Sequence, residues 1–247
     1  GVQTCALPIS RMILYINGDS HSAGVEIAGP WCFAKDDSKY RRLGRVPHPA
    51  NLKLSYGQLL ADKMNCQLIC DAESASSNNR IIRTTLKQLT GGPGMPAVRP
   101  DFIVIGWSTW ERQEFHDPKT GIAWQVNAGG IGVDWPDWLK EQYPKFIEGL
   151  DWRKEMNLAH NKIYQFHTEL QHRGIKHLFF NTFSYFDLRV VTSLDWHNCY
   201  LDPYNKYSTY YNWCLSQGFE PVTKNGYHFG ADAHRAWADY LHTKIVQ

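Results

Sequence analysis

The stretch Arg11-Met-Ile-Leu-Tyr-Ile-Asn-Gly-Asp-Ser-His-Ser-Ala-Gly24 decides the fold and the candidate site. Its apolar part, residues 12–16, has the length and composition of a buried strand and stops abruptly at a turn signal. Gly18 tolerates backbone angles closed to other residues, and Asp19 favours a turn. The stretch therefore predicts that Ser20 lies at the carboxyl end of a strand, the edge at which open α/β sheets bind ligands. At this point Ser20 has two interpretations, a nucleophile or a simple helix N-cap.

A second informative stretch lies near the other end of the chain, at residues 225–241. Small and apolar residues recur there at helical spacing, which predicts a C-terminal helix from about Gly230. His228 falls in the loop that leads into this helix. An imidazole titrates near neutral pH, so His228 could accept the Ser20 proton and return it to a leaving group. The alternative is a hydrogen-bonded structural histidine.

Together the two stretches resemble the SGNH (GDSL-type) hydrolase family. Gly18-Asp19-Ser20 matches the family's nucleophile block, and His228 followed by His234 matches its last block. The resemblance extends from about Arg11 over the rest of the chain. It implies a serine nucleophile, Ser20, a histidine base, His228, and a flavodoxin-like three-layer α/β/α sandwich.

The resemblance also implies oxyanion donors in two middle blocks, and both blocks depart from the family pattern. The second block has no glycine, so a backbone N–H at the start of a helix is the expected donor. In the third block a hydroxyl stands where the family has asparagine. The candidate oxyanion donors are Ser76, Ser77, Asn78 and Ser108.

The catalytic-acid position departs as well, because Asn225 stands where the family has aspartate three residues before the histidine. An amide orients an imidazole but does not stabilise an imidazolium by charge. Asn225 is the candidate at this position. Glu220, Asp232 and a backbone carbonyl are alternatives for the same role.

Strand and helix patterns alternate along the chain. Strands are predicted at about 12–16, 67–70, 101–106 and 177–181, and helices at about 52–64, 78–90, 154–173, 204–216 and 230–245. This alternation predicts a parallel sheet with helices on both faces. We expect one domain over residues 11–247, and a non-native or disordered tail at residues 1–10.

A long tryptophan-rich insertion at about 107–152 interrupts the pattern. Connections of this length are often lids or binding loops. Tryptophans exposed there could stack on sugar rings, and the alternative is a small core of their own. The candidate substrate-binding residues are Trp107, Trp110 and Arg112.

Bulk properties fit a soluble enzyme. The chain has 247 residues, 43% of them hydrophobic, and a formal net charge of +2, which gives no strong attraction to nucleic acid. No apolar run approaches the roughly 20 residues of a membrane span. The six cysteines show no metal-ligand spacing, and Cys199 and Cys214 are either a disulfide or free thiols. We expect neither a metal ion nor a cofactor in the reaction.

These observations predict a serine hydrolase that cleaves carboxylic esters, with O-acetyl groups of carbohydrates as one candidate substrate class. A catalytically impaired SGNH-like module that binds glycans is the main alternative. A third possibility is an unrelated flavodoxin-like ligand binder in which Ser20 only caps a helix.

Overall fold

The computed structural model describes residues 12–28, 47–132, 135–224 and 226–246. The strands are β1 Ile13–Gly18, β2 Gln67–Cys70, β3 Phe102–Trp107, β4 Gln113–His116, β5 Ala123–Val126 and β6 His177–Asn181. The helices are α1 Pro49–Leu52, α2 Tyr56–Lys63, α3 Asn78–Thr90, α4 Asp137–Glu148, α5 Trp152–His172, α6 Tyr210–Ser216 and α7 Ala231–Ile245. The predicted tail at residues 1–10 lies outside the described residues.

A parallel sheet with the strand order β2-β1-β3-β6 forms the centre of the molecule. This is the flavodoxin-like order, and it confirms the predicted fold class. The register pairs Ile16 with both Cys70 and Val104, and Gly106 with Phe180. Because all four strands run the same way, the segments that follow them meet at one edge of the sheet.

Alternate residues of the strands bury opposite faces, as expected for a sheet covered on both sides. Leu14 and Ile16 of β1 pack in one core with α2, α6 and α7, where Trp237 is fully buried. Tyr15, between them, faces a second core with α3 and α5, where Ile163 is fully buried. The two cores place helices on both faces and so produce the three-layer sandwich.

Two glycines shape the end of β1 and the strand beside it. Gly18 has a φ of 155°, and an added Cβ would collide with Ser22 Oγ and meet the carbonyl oxygen of Gly106 at 2.8 Å. An added Cβ at Gly106 would lie 2.8 Å from the Phe180 ring. These close approaches require glycine at both positions. The chain can therefore turn sharply at Ser20.

The insertion after β3 contains the antiparallel hairpin β4–β5 and helix α4, none of which the sequence predicted. Its aromatic rings form a small core of their own around Val126, Trp135 and Leu139. Arg83 of α3 holds both carboxylate oxygens of Glu114, at 2.9 and 2.7 Å. The insertion is thus a packed subdomain that contacts α3.

Cys66, Cys70, Cys199 and Cys214 are free thiols, so Cys199 and Cys214 form no disulfide. Among the helices of the described residues, none combines the length and apolar character needed to cross a membrane.

Candidate active site

The turn after β1 places Ser20 and Asp19 at the carboxyl edge of the sheet, where both are almost fully buried. Val25 N–H donates to the Ser20 carbonyl oxygen at 3.0 Å and Ala23 N–H to that of Asp19 at 2.9 Å, which closes the turn. Among the described residues, Ser20 N–H has no hydrogen-bond acceptor. Ser20 therefore has a free backbone donor next to its hydroxyl.

Asp19 is the centre of the polar network at this edge. One of its oxygens accepts from the backbone N–H and Nδ1 of His21, at 3.1 and 3.0 Å. The other accepts from Ser108 Oγ at 3.1 Å, Thr182 Oγ1 at 3.1 Å and Arg112 at 3.3 Å. Burial alone raises the pKa of Asp19, but the charge and hydrogen bonds of His21, with the charge of Arg112, outweigh it and hold the pKa well below its ordinary value. Asp19 is a buried carboxylate held by four residues from three segments of the chain.

His21 lies between two acceptors. Its Nδ1 faces the Asp19 carboxylate, and its Nε2 lies 3.2 Å from the carbonyl oxygen of Tyr227. Both of these neighbours are hydrogen-bond acceptors. His21 thereby connects the Ser20 turn to the loop of His228, whose ring centroid is 5.3 Å away.

His228 Nδ1 lies 3.1 Å from Oε2 of Glu26, a residue that the sequence did not single out. A carboxylate only accepts, so Nδ1 carries the ring proton and Nε2 keeps its lone pair. Nε2 is buried and has no hydrogen-bond partner among the described residues, Ser20 Oγ included. Burial and the positive charges of His21 and Arg112 lower the pKa of His228 to about 3. The ring is therefore neutral near pH 7, with a free basic nitrogen.

Glu26 owes its position to the turn that begins at Ser20. Its backbone has a φ of 67°, a left-handed conformation that is uncommon outside glycine. Its side chain is 23% exposed, and partial burial raises its pKa. Asn225 lies outside the described residues. Neither Glu220 nor Asp232, the other sequence candidates, forms a hydrogen bond with His228.

The segment that carries Ser76 and Ser77 lies at this edge as predicted, but its backbone donors already have acceptors. Ser76 N–H donates to the carbonyl oxygen of Glu73 at 3.1 Å. Ser77 N–H donates to Oε1 of Gln125, from the hairpin β4–β5, at 2.8 Å. Ser77 Oγ caps α3 by accepting from Arg80 N–H. The backbone N–H groups of both residues therefore already have acceptors inside the protein.

Asn78 and Ser108 form a closed pair. Ser108 N–H donates to Asn78 Oδ1 at 2.9 Å, and Asn78 Nδ2 donates back to the Ser108 carbonyl oxygen at 3.2 Å. Ser108 Oγ donates to Asp19, as described above. The pair holds the ends of β3 and the α3 loop together and engages the Ser108 backbone N–H and one N–H of the Asn78 amide.

The two candidate tryptophans are internal. Trp107, the last residue of β3, is fully buried and packs edge-on against Phe166 and Phe179. Trp110 is stacked on Phe186 with ring centroids 4.4 Å apart. Both rings complete the core, so neither is exposed for sugar stacking.

Arg112, the third candidate for substrate binding, is at the site. Its side chain is 14% exposed and contacts Asp19. Its Nε is buried and has no acceptor among the described residues. A guanidinium N–H without a partner, close to a buried carboxylate, is suited to bind an oxygen that carries negative charge.

The comparisons with known proteins give a partial match. A model for a family of unknown function (DUF6071) matches residues 49–154, a range that contains neither Ser20 nor His228. No curated protein matches the sequence.

Several solved structures are similar. An acetyl xylan esterase, Est2A, from the rumen bacterium Butyrivibrio proteoclasticus is 15% identical, with a TM-score of 0.43 over 97% of this chain and 66% of that one. A family two carbohydrate esterase from Cellvibrio japonicus is 14% identical, with a TM-score of 0.42 over 95% of this chain and 62% of that one. LAE5, an α/β hydrolase from the metagenome of Lake Arreo, Spain, is 13% identical, with a TM-score of 0.47 over 95% of both chains. The chain thus spans less than two thirds of the length of the first two.

Proposed function

We propose that the protein is a serine hydrolase that cleaves carboxylic esters, with Ser20 as nucleophile, His228 as general base and Glu26 as the carboxylate behind it. The observation that carries the proposal is the state of His228. Its Nδ1 is fixed by Glu26, whereas its buried Nε2 is free. This is the tautomer that a base needs to accept a hydroxyl proton.

In the proposed reaction Ser20 Oγ attacks the carbonyl carbon and its proton passes to His228 Nε2. Glu26 stabilises the imidazolium that forms. His228 then protonates the leaving alcohol, and water releases the acyl group by the same steps in reverse order. No hydrogen bond joins Ser20 Oγ to His228 Nε2, and such catalytic bonds commonly tighten only when substrate is bound.

We assign the oxyanion to donors that have no acceptor among the described residues, Ser20 N–H and Arg112 Nε–H. Several donors that the sequence suggested are engaged within the protein: the backbone N–H groups of Ser76, Ser77 and Ser108, the Ser108 hydroxyl and one N–H of Asn78 Nδ2. They support the site by fixing Asp19 and the ends of β3 and the α3 loop. A charged donor at Arg112 compensates for the amide that the family places in the third block.

Hydrolysis of p-nitrophenyl acetate tests this proposal. We expect Ser20→Ala to lower kcat/KM at least about 10³-fold, because removal of a nucleophile leaves only binding and oxyanion stabilisation. Ser216→Ala, a change of an exposed serine in α6, is the control and should retain wild-type activity. Labelling by a fluorophosphonate should disappear in Ser20→Ala alone. Equal activity or equal labelling of the two variants would exclude Ser20 as the nucleophile.

A carbohydrate ester is the substrate class that we propose for this site. A groove of about 470 Å³ is lined in part by residues 183–185, which follow Thr182 in the chain, and Thr182 bonds to Asp19. Aromatic rings line the groove, among them Trp152, Phe183 and Tyr185, which are 53%, 41% and 39% exposed. Exposed rings of this kind stack on sugar faces.

Trp152→Ala tests the substrate class separately from the chemistry. We expect the KM for acetylated xylan to rise about 10-fold, because the loss of one stacking contact weakens binding by roughly 1.4 kcal/mol. The kinetics with p-nitrophenyl acetate should stay within about twofold of wild type. An unchanged KM for the polysaccharide would refute the carbohydrate assignment and leave the esterase proposal intact.

A glycan-binding module without hydrolysis is the second candidate, and one observation favours it. Three donors at the family's middle oxyanion positions, Ser77 N–H, Ser108 N–H and Ser108 Oγ–H, already have acceptors inside the protein. If wild type and Ser20→Ala are equally inactive on esters while both bind xylan, this second function replaces the first.

A further inference from the structure

A second cluster of histidines lies at the opposite end of the sheet from Ser20. His167 comes from α5, His177 is the first residue of β6, and Cys199 follows in the connection between β6 and α6. The Nδ1 or Nε2 atoms of the two histidines and Sγ of Cys199 all lie within 4.8 Å of one another. His167 is fully buried and His177 is 5% exposed. Three side chains that commonly bind metals thus converge inside the protein.

The hydrogen bonds of His177 orient it as a ligand. Its Nδ1 lies 2.9 Å from the carbonyl oxygen of Ile175, so Nδ1 carries the proton and Nε2 keeps its lone pair. Nε2 points at His167 Nδ1, 2.8 Å away. Without an ion, one proton on His167 Nδ1 satisfies this contact. A backbone carbonyl behind the second ring nitrogen is the usual way in which proteins fix a metal-binding histidine.

His167 has a matching partner for its other nitrogen. Its Nε2 lies 3.4 Å from Nδ1 of His197, and the two rings are stacked. When an ion takes the position between His167 Nδ1 and His177 Nε2, the displaced proton moves to His167 Nε2, which then donates to His197. The arrangement therefore changes from a proton-bridged pair to two metal ligands by a change of tautomer and a small widening of the 2.8 Å contact.

Two imidazoles and one thiolate are a donor set for a particular kind of ion. Magnesium and calcium prefer oxygen ligands, whereas nitrogen and sulfur donors together are typical of zinc. On binding, the Cys199 thiol loses its proton to solvent and forms a zinc–sulfur bond, with no change in oxidation state. A fourth position is left for water or for a rotated neighbouring side chain.

We propose that His167, His177 and Cys199 bind one zinc ion, which fastens the connection between β6 and α6 to the sheet and to α5. Cys199 lies in a short extension of the sheet, because Phe179 N–H donates to the Cys199 carbonyl oxygen at 2.7 Å and Leu201 N–H to that of Phe179 at 2.9 Å. The role is structural. The ion lies at the amino end of β6, whereas the candidate active site lies beyond its carboxyl end.

The sequence did not indicate this site. Its ligands come from three parts of the chain, and Cys199 has no second cysteine at the short spacing by which zinc sites are recognised. The histidines of α5 alone do not form an i,i+4 pair. Only the packing of α5 against β6 brings them together.

Metal content and thermal stability of the full chain test the proposal. The protein is purified without a polyhistidine tag, stripped with a chelator and titrated with zinc, and separately with cobalt, under reducing conditions. We expect one ion per chain, a rise of Tm at saturation, and for cobalt the visible absorption of a tetrahedral site together with a thiolate charge-transfer band. Cys199→Ser should abolish the charge-transfer band. His177→Asn should abolish the shift of Tm.

Cys70→Ser is the matched control, because Cys70 is also a half-buried free thiol but lies in β2. It should bind zinc and cobalt as wild type does. A wild-type chain that binds neither ion would overturn the proposal, and so would a Cys199→Ser variant that keeps the thiolate band. Since Cys199→Ser changes no residue of the candidate active site, its esterase activity distinguishes failure here from failure of the proposed hydrolase.

Discussion

Histidine has different surroundings at the two ends of the sheet, at His228 in the candidate active site and at His167 in the proposed zinc site. His167 is fully buried and the His228 side chain is 12% exposed, and burial lowers the pKa of His228 to about 3 and that of His167 to about 4. Their neighbours differ, because His228 has a carboxylate behind it and charged groups beside it, whereas His167 has a second histidine and a thiol within reach. A carboxylate partner stabilises an imidazolium, which suits a histidine that transfers protons. Neutral nitrogen and sulfur ligands suit a histidine that coordinates a metal ion.

The largest effect that should separate the two clusters is that of Glu26→Gln on catalysis. The amide keeps the size of the side chain but no longer stabilises an imidazolium, and a comparable change in a protease triad costs about 10⁴ in turnover. We expect kcat for p-nitrophenyl acetate to fall about 10²- to 10⁴-fold. Zinc binding at His167 should be unchanged.

Asn225→Ala is the matched comparison for Glu26→Gln. We expect it to retain kcat within about threefold, because Glu26 already occupies His228 Nδ1. Should Asn225→Ala lose activity while Glu26→Gln keeps it, the assignment of the carboxylate would be wrong.

The next effect concerns stability at the charged cluster. Asp19→Asn removes the carboxylate that Arg112 contacts and leaves this largely buried guanidinium without its counter-charge. Removing one partner of a buried ion pair typically costs about 3–5 kcal/mol. We expect the free energy of unfolding in urea to fall by about 3 kcal/mol or more at pH 7. A loss below about 1 kcal/mol would show that the network contributes little to the fold.

At the proposed zinc site, removal of one partner should lower the free energy of unfolding by less than Asp19→Asn does. His177→Asn, measured on the metal-free protein, removes neutral hydrogen bonds, which contribute roughly 1–3 kcal/mol when a buried partner is left unsatisfied. A larger loss for His177→Asn than for Asp19→Asn would reverse the contrast between the clusters.

The smallest effect is a pH dependence. His234 is fully buried, accepts a hydrogen bond from Tyr56 N–H at 3.2 Å, and burial lowers its pKa to about 3. The unfolded chain binds a proton at this residue below about pH 6.5 and the folded chain does not, so its contribution to stability is lost as pH falls from 6.5 towards 3.

Each such histidine adds at most about 1.4 kcal/mol per pH unit to this slope. We expect His234→Gln to be less stable than wild type at pH 7.5 but to show a shallower slope between pH 6 and 4, with chelator present throughout. His172→Gln, an exposed control in α5, should keep the wild-type slope. Parallel curves for His234→Gln and wild type would disprove the contribution of this residue.

Much of the fold was predictable because the signals were local. The strands at 67–70 and 177–181 were predicted to the residue, since short apolar runs bounded by turns leave few alternatives. The hairpin β4–β5 was missed, because strands of four residues in a polar stretch produce too little alternation.

The candidate site was predictable in part. The positions of Ser20 and His228 follow from the ends of a strand and a helix. Glu26 does not, because its contact with His228 depends on a left-handed backbone at the end of an irregular turn. Arg112 was singled out from its place after β3, but its contact with Asp19 required the packed insertion.

The turn that carries Ser20 also carries Glu26, so the proposed nucleophile and the proposed carboxylate belong to one short piece of chain, and His228 lies 202 positions from Glu26. A single long-range docking event, that of the loop before α7, would then complete the site during folding. Such non-local contacts form slowly relative to local ones. Esterase activity should accordingly return late in refolding, together with the burial of Trp237. Its recovery would then report when the loop before α7 packs against the Ser20 turn.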